Sequence, residues 1–206
     1  MRDRDLVRLY WPVELRPAFD ALFGIHDAMG EVVASSSQPA LGAIRLAWWR
    51  EALQRLDINP APPEPRLKAA ATILLPRGIT GTDLASLEDG WTALLDEQPD
   101  IERFAARGAR LFDLAARLLG LGDPLLDAAG RLYALGDATR RGWAEHSSME
   151  EMRLLSRHRF ARRLRPLTAL ARLAARDVKQ APSVEPEATP GRAAALLSHR
   201  LFGTVA

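Results

Sequence analysis

The stretch Arg45-Leu46-Ala47-Trp48-Trp49-Arg50-Glu51-Ala52-Leu53 is the most distinctive part of this sequence. Most of its residues favour helices, and it lies between Pro39, which suits the first helical position, and the four prolines of residues 59–65, which cannot be helix interior. Adjacent tryptophans flanked by arginines are rare in ordinary helices. The segment therefore predicts a helix from about residue 39 to 56 whose tryptophans and arginines have a particular role in packing or in binding.

Two interpretations of this helix are open. Its apolar residues at helical spacing predict one buried face, with Trp48 in the core and Trp49 at an interface. Alternatively, Arg45 and Trp49 lie together on an adjacent face and border a pocket for an apolar, anionic ligand. The predicted buried face consists of Leu41, Ile44, Trp48 and Ala52.

The rest of the 206-residue chain is also helical in composition, since Ala, Leu, Arg and Glu dominate and alternating strand patterns are nearly absent. We predict an all-α, single-domain helical bundle over residues 1–206, with a proline-rich loop at 57–65 and a second loop at 181–191. One long helix is expected over 149–179, with a kink at Pro166. Further helices are expected at about 17–34, 65–75, 82–95, 101–119, 124–145 and 192–202.

Composition narrows the function classes. The chain has no cysteine, which excludes disulfides, thiolate metal sites and a cysteine nucleophile. The charged N-terminus is followed by no apolar signal core, and no apolar run approaches the ~18 residues that span a bilayer. We therefore expect a cytoplasmic protein with at most peripheral membrane contact.

Charge is unevenly distributed, although the formal net charge is only +2. Residues 153–176 contain eight arginines and no acid. One interpretation is a solvated helix face whose arginines pair with acids elsewhere; the other is a surface that attracts phosphate, anionic lipid or an acidic partner. Nucleic acid is not expected as a partner, because Phe160 is the only aromatic residue in the stretch.

No complete catalytic motif is present. The four histidines lack metal-ligand spacing, and nucleotide-binding loops and a nucleophile elbow are absent. Asp27 and Glu31 have the i, i+4 spacing with which a helix can present two carboxylates to Mg²⁺. From the residues alone, no metal site is assigned.

The Trp-Trp segment resembles the Arg-Leu-x-Trp-Trp-Arg-x-Ala-Leu segment of the squalene/phytoene synthase family, in particular divergent bacterial members similar to a mitochondrial complex I assembly factor. Leu15–Phe23 resembles the opening helix of that family, Ala106–Arg141 its central helices, and Ala195–Leu201 its C-terminal ending. The resemblance implies a shortened isoprenoid-synthase fold.

In active members of the family, two Asp-x-x-x-Asp motifs on facing helices hold Mg²⁺, which grips the diphosphate of a prenyl substrate. The resemblance puts the first motif's acids at Gly30 and Ala34 and the second motif's at Arg141 and Glu145. Arg140 matches the family's arginine before the second motif. The candidate pocket residues are therefore Arg45, Trp49, Asp27, Glu31, Asp137, Arg140, Arg141 and Glu145.

Three functions follow from these observations. The missing acids favour a non-catalytic binding or assembly factor, with a prenyl or lipid ligand or a protein partner and no cofactor. An active Mg²⁺-dependent prenyltransferase is the alternative, and it requires the four acids of the candidate pocket to converge. The third is a basic surface that binds acidic lipid. Whether the protein is an enzyme is left open at this point.

Overall fold

Helices make up the regular structure of the computed structural model, which describes residues 2–143 and 148–206, and these ranges contain no strand. The all-α prediction is confirmed. A π-helical turn (Ala70–Leu74) and two short 3₁₀ turns (Val13–Leu15 and Leu75–Arg77) complete the pattern. The α-helices are α1 (Asp3–Arg8), α2 (Arg16–Ser35), α3 (Pro39–Arg55), α4 (Pro65–Ala69), α5 (Gly81–Ala85), α6 (Glu88–Thr92), α7 (Ile101–Leu119), α8 (Leu126–Arg141), α9 (Met149–Leu155), α10 (Arg165–Gln180) and α11 (Pro190–Phe202).

Local chemistry sets the boundary between α2 and α3. The hydroxyls of Ser35 and Ser36 donate to the carbonyls of Glu31 and Val32, both at 2.6 Å, and so provide side-chain hydrogen bonds in the last turn of α2. Pro39 then occupies the first turn of α3, where its missing N–H costs no hydrogen bond. The predicted start and stop signals therefore coincide with the observed helix ends.

The helices pack around one hydrophobic core, with α8 between α7 and α10, and with α11 on α10. The α7–α8 contact is a close backbone approach. A Cβ atom on Gly108 would lie 2.1 Å from the Gly130 carbonyl oxygen, and one on Gly130 would lie 2.3 Å from that of Gly108. Only glycine at both positions allows the helices to meet at this distance.

The predicted buried face of α3 is wrong for three of its four residues. Leu41, Ile44 and Trp48 point to solvent, and Trp48 is 50% exposed, whereas Trp49 is only 7% exposed and belongs to the core. Apolar residues lie on both sides of α3, so their spacing did not identify the side that packs. The side toward the core consists of Gly42, Leu46, Trp49, Ala52 and Leu53.

The predicted long helix over 149–179 is two helices, α9 and α10, separated by residues 156–164. Pro166 does not kink a helix; it lies in the first turn of α10, where proline is tolerated because no N–H is needed. Phe160 and Leu164 bury their side chains in the core from this connection. Across the described ranges, no helix is both long and apolar enough to cross a membrane.

Candidate functional site

A cavity of about 140 Å³ opens between α1, α2, α8, α10 and the start of α11. Its wall contains four of the residues singled out in the sequence: Asp27 from α2, and Asp137, Arg140 and Arg141 from the C-terminal end of α8. Distant parts of the chain thus bring half of the candidate pocket together. We treat this cavity as the candidate site.

The structure places the other candidates elsewhere. Glu31, Arg45 and Trp49 line a separate groove on the outer side of α2 and α3. There the Glu31 carboxylate accepts a hydrogen bond from Arg66 at 3.0 Å, because one further turn along α2 has carried it away from the cavity. Glu145 lies outside the described residues. Of the other three acids predicted to converge, Asp27 and Asp137 share the cavity and Glu31 does not.

A chain of hydrogen bonds runs from the core to the cavity wall through Arg107, His26, Asp27 and Arg4. Arginine only donates, so Nε2 of His26 must accept from Arg107. The Nδ1–H of His26 is then free to donate to Oδ1 of Asp27 at 3.3 Å. Arg4 donates to both oxygens of that carboxylate, through Nη1 to the same Oδ1 at 2.7 Å and through Nη2 to Oδ2. This assignment makes His26 the neutral Nδ1–H tautomer.

The pKa values of these groups follow from the same contacts. Burial, with the charge of Arg107 in support, lowers the pKa of His26 to about 4. Burial alone raises the pKa of Asp27, but the hydrogen bonds from His26 and Arg4 outweigh it and hold that pKa well below its usual range. Near neutral pH, Asp27 is therefore a carboxylate whose charge Arg4 already balances.

Arg107 lies at the buried end of this series of hydrogen bonds. It is fully buried, its guanidinium carbon stacks 3.9 Å from the ring centroid of Trp91, and burial lowers its pKa to about 10. Its Nε and Nη2 atoms have no hydrogen-bond partner within residues 2–143 and 148–206. One sequence signal could have revealed it, since Phe104 and Leu111 place position 107 on the apolar side of α7.

Asp137 is the second sequence-predicted acid on the cavity wall. Its Oδ1 accepts from Nε of Arg141 at 2.8 Å, and its Oδ2, buried beside Tyr133, has no partner in the described part of the chain. Burial, followed by the charge of Asp137, raises the pKa of Tyr133. The phenol therefore stays protonated, and Arg141 balances the carboxylate.

A second arginine–carboxylate cluster closes the cavity toward α10 and α11. The buried Arg192 bonds Asp3 through Nε at 2.7 Å and also pairs with Asp177. Arg140 donates to the same Asp177 carboxylate at 2.8 Å. Sequence reasoning missed Asp3, Asp177 and Arg192, because 189 positions separate the ends of this cluster and no local motif marks it.

Charge on the cavity wall is balanced, with five arginines facing five acids. Such a wall offers a cation no excess of negative charge and an anion no excess of positive charge. The ten residues are Arg2, Arg4, Arg140, Arg141 and Arg192 with Asp3, Asp27, Asp137, Asp177 and Glu187.

Trp91 occupies the centre of the bundle beside the cavity. It is fully buried, and its ring centroid lies 5.1 Å from that of His26 and 5.8 Å from that of Phe104. A Cβ atom on Gly30 would lie 2.8 Å from Cη2 of Trp91. The position that the resemblance aligns with a metal-binding acid is therefore packed against an indole ring.

Within the described residues, no three His, Asp or Glu side chains are grouped to hold a metal ion. No family model, curated protein or solved structure matches the chain. The case for a function therefore rests on the geometry of this cavity, on the exposed surfaces and on the sequence resemblance.

Proposed function

We propose that this protein is a non-catalytic relative of the squalene/phytoene synthases that acts as a binding or assembly factor. One observation carries the proposal: arginines of the protein itself neutralise Asp27 and Asp137, the two acids on the cavity wall that were predicted from the sequence. Arg4 binds Asp27 through two nitrogens, and Arg141 binds Asp137. A Mg²⁺ cluster needs oxygen ligands whose charge is available to the metal, and these carboxylates are already paired.

The volume of the cavity supports the same proposal. Pockets for drug-sized ligands measure roughly 300–1,000 Å³, whereas this cavity measures about 140 Å³. Trp91, Phe104 and Tyr133 occupy the interior beside it, where a long prenyl chain would need open space. The family resemblance adds the assembly role, as in the branch near the complex I assembly factor.

An active prenyltransferase is the alternative, and one observation favours it. Asp27 and Asp137 lie on one cavity with Arg140 and Arg141, which is the mixture of charges that a prenyl diphosphate and its metals require. Against it stand the pairing of both acids with arginine and the position of Glu31 in a different groove. The residues present do not fit a resident Mg²⁺ cluster.

Isothermal titration with farnesyl diphosphate, with and without Mg²⁺, tests the proposal. We expect no Mg²⁺-dependent binding, because four of the five described acids on the cavity wall, all except Glu187, are already paired with an arginine. Binding without Mg²⁺ would identify the ligand as a prenyl diphosphate held by arginine, and Arg141→Gln should then weaken it by about tenfold or more. Tight binding that needs Mg²⁺ would overturn the proposal.

Asp137→Asn and Glu51→Gln provide a matched pair for this titration. Both remove one carboxylate, but only Asp137 lines the cavity, and Glu51 is an exposed residue of α3. Under the proposal neither variant changes the Mg²⁺ dependence. If the enzyme reading holds, Asp137→Asn alone abolishes the Mg²⁺-dependent heat.

A further inference from the structure

The segment between α9 and α10 carries arginines that have no partner among the described residues. Within residues 2–143 and 148–206, the guanidinium groups of these exposed residues have no ion pair and no hydrogen bond, unlike Arg176, which binds Glu185 at 2.8 Å. The expectation that arginines of residues 153–176 pair with acids therefore fits Arg176 but not this segment. The unpartnered residues of the segment are Arg157, Arg159, Arg162 and Arg163.

This segment lies along the end of α11. The Phe160 amide donates to the Gly203 carbonyl at 3.0 Å, and Nη1 of Arg165 donates to the carbonyls of Arg200 and Leu201, both at 2.9 Å. These bonds fix the basic segment beside the last turn of α11. The arginines and the residues of that turn thus belong to one surface.

The end of α11 contributes exposed apolar side chains to this surface. Leu197 is 53%, Leu201 60% and Phe202 57% exposed. Residues 197 and 201 are four apart and so lie on one face of the helix. An adjoining pocket of about 270 Å³ shares Leu201 with this face, and its wall contains Arg162, Arg165 and Arg200 but no acid.

We propose that this surface, which we call the arginine–α11 face (residues 157–163 and 197–202), binds anionic lipid headgroups at a membrane surface. Within residues 2–143 and 148–206 no acid balances this positive charge, which is therefore complementary to anionic headgroups, and each arginine near such a surface strengthens binding about fivefold. Exposed leucine and phenylalanine beside that charge insert at the level of the headgroups, the combination that holds interfacial helices to membranes.

Nucleic acid fits this face less well than lipid. Binding of single strands uses a series of aromatic rings on which successive bases stack, whereas this face exposes a single phenylalanine, Phe202, because Phe160 is buried. The proposal also stands apart from the non-catalytic function, because an enzyme with the same face would bind the same membranes. The vesicle experiment and the titration with farnesyl diphosphate can therefore fail independently.

Vesicle co-sedimentation of the full chain tests the proposal. The vesicles contain phosphatidylcholine alone or with about 30% phosphatidylglycerol, because only the second carries negative headgroups. We expect binding to the anionic vesicles and little to the neutral ones, and a marked loss between about 0.05 M and 0.5 M salt as screening increases. Equal binding to both vesicles, or no binding to either, would overturn the proposal.

Charge variants locate the binding face. Replacing Arg157, Arg159, Arg162 and Arg163 by Gln should weaken binding by about 100-fold or more, since each arginine contributes about fivefold. A control variant with the same change of net charge, from +2 to −2, replaces four exposed arginines elsewhere and should bind nearly as well as the wild type. The control positions are Arg50, Arg55, Arg77 and Arg110.

Two further experiments test the apolar part of the face and the choice of lipid over nucleic acid. Leu201→Ser with Phe202→Ser should weaken vesicle binding, whereas Ile44→Ser with Trp48→Ser on α3 should not, although both pairs are exposed. A single-stranded oligonucleotide should bind more weakly than the anionic vesicles. If the charge control loses binding as strongly as the arginine variant, or if the oligonucleotide binds as tightly as the vesicles, the proposal is wrong. Circular dichroism of each variant checks that it is folded.

Discussion

Trp48 and Trp49 are neighbours in the sequence with opposite environments. Trp49 is 7% exposed and packs in the core, whereas Trp48 is 50% exposed, and the two rings meet edge to face at 5.2 Å between centroids. Truncating the buried ring removes its burial and leaves a cavity, whereas truncating the outer ring removes half-solvated surface. Making the same substitution at the two positions therefore measures the effect of burial, because the side chain removed is the same in both.

We expect Trp49→Ala to lower the free energy of unfolding by about 3–5 kcal/mol. Trp48→Ala should lower it by roughly 1 kcal/mol or less, as for a surface substitution that loses one ring contact. Urea denaturation of both variants beside the wild type measures the difference. Equal losses would contradict the difference in burial between the two rings, and a larger loss for Trp48→Ala would mean that the helix face first predicted from the sequence is the buried one.

The helix pair α7–α8 depends on glycines at its crossing. The backbones of Gly108 and Gly130 approach so closely that neither position has room for a methyl group. Gly24, inside α2, has no atom within 4 Å of its would-be Cβ. Replacement by alanine is therefore expected to have opposite effects on stability at Gly108 and at Gly24.

Gly108→Ala should destabilise the protein by roughly 1–3 kcal/mol or more, because the added methyl group overlaps a backbone carbonyl that cannot rotate away. Gly24→Ala should be neutral or stabilise by up to about 1 kcal/mol through helix propensity. Thermal or urea unfolding of the two variants gives the answer. A stabilised Gly108→Ala would mean that α7 and α8 do not cross at this point.

Helix ends that serine and proline mark were predictable from the sequence. A connection whose apolar residues continue the spacing of a helix was not. The three serines at 35–37 and Pro39 mark the end of α2 and the start of α3 correctly. The interruption between α9 and α10 was missed, because Phe160 and Leu164 continue a helical spacing while their backbone is not helical. Apolar spacing records burial, and a connection can bury side chains as well as a helix can.

At the scale of the whole molecule, the candidate site is assembled from pairs that local patterns do not encode. Asp27 and Asp137 were predicted as pocket residues from the family resemblance, and they do share one cavity. Their partner Arg4 and the cluster around Arg192 come from the two ends of the chain, and sequence spacing carries no information about such contacts. The balance of charge on the cavity wall could be recognised only after folding had brought these residues together.

Two buried neutral histidines make the stability of the whole molecule depend on pH. Nε2 of His26 accepts from Arg107, and burial lowers its pKa to about 4. His199 lies between Thr168 and the Thr204 carbonyl, which accepts from Nδ1 at 2.7 Å, and burial lowers its pKa to about 4 as well. In the unfolded chain both titrate near 6.5.

Because both native pKa values lie below the unfolded value, the unfolded state binds more protons than the native state between about pH 6.5 and pH 4. The contribution of the two histidines to the free energy of unfolding is therefore fully present above that window. It falls as the pH falls through the window, by about 3 kcal/mol for a fully buried histidine.

Urea denaturation at intervals between pH 7.5 and pH 4.5 should record this loss. His26→Gln and His199→Gln should each reduce the slope, and the double variant should reduce it by the sum, because the two sites share no partner. A wild-type slope that survives in the double variant would place the pH dependence in other groups and would mean that neither imidazole is held in its neutral form by its buried contacts.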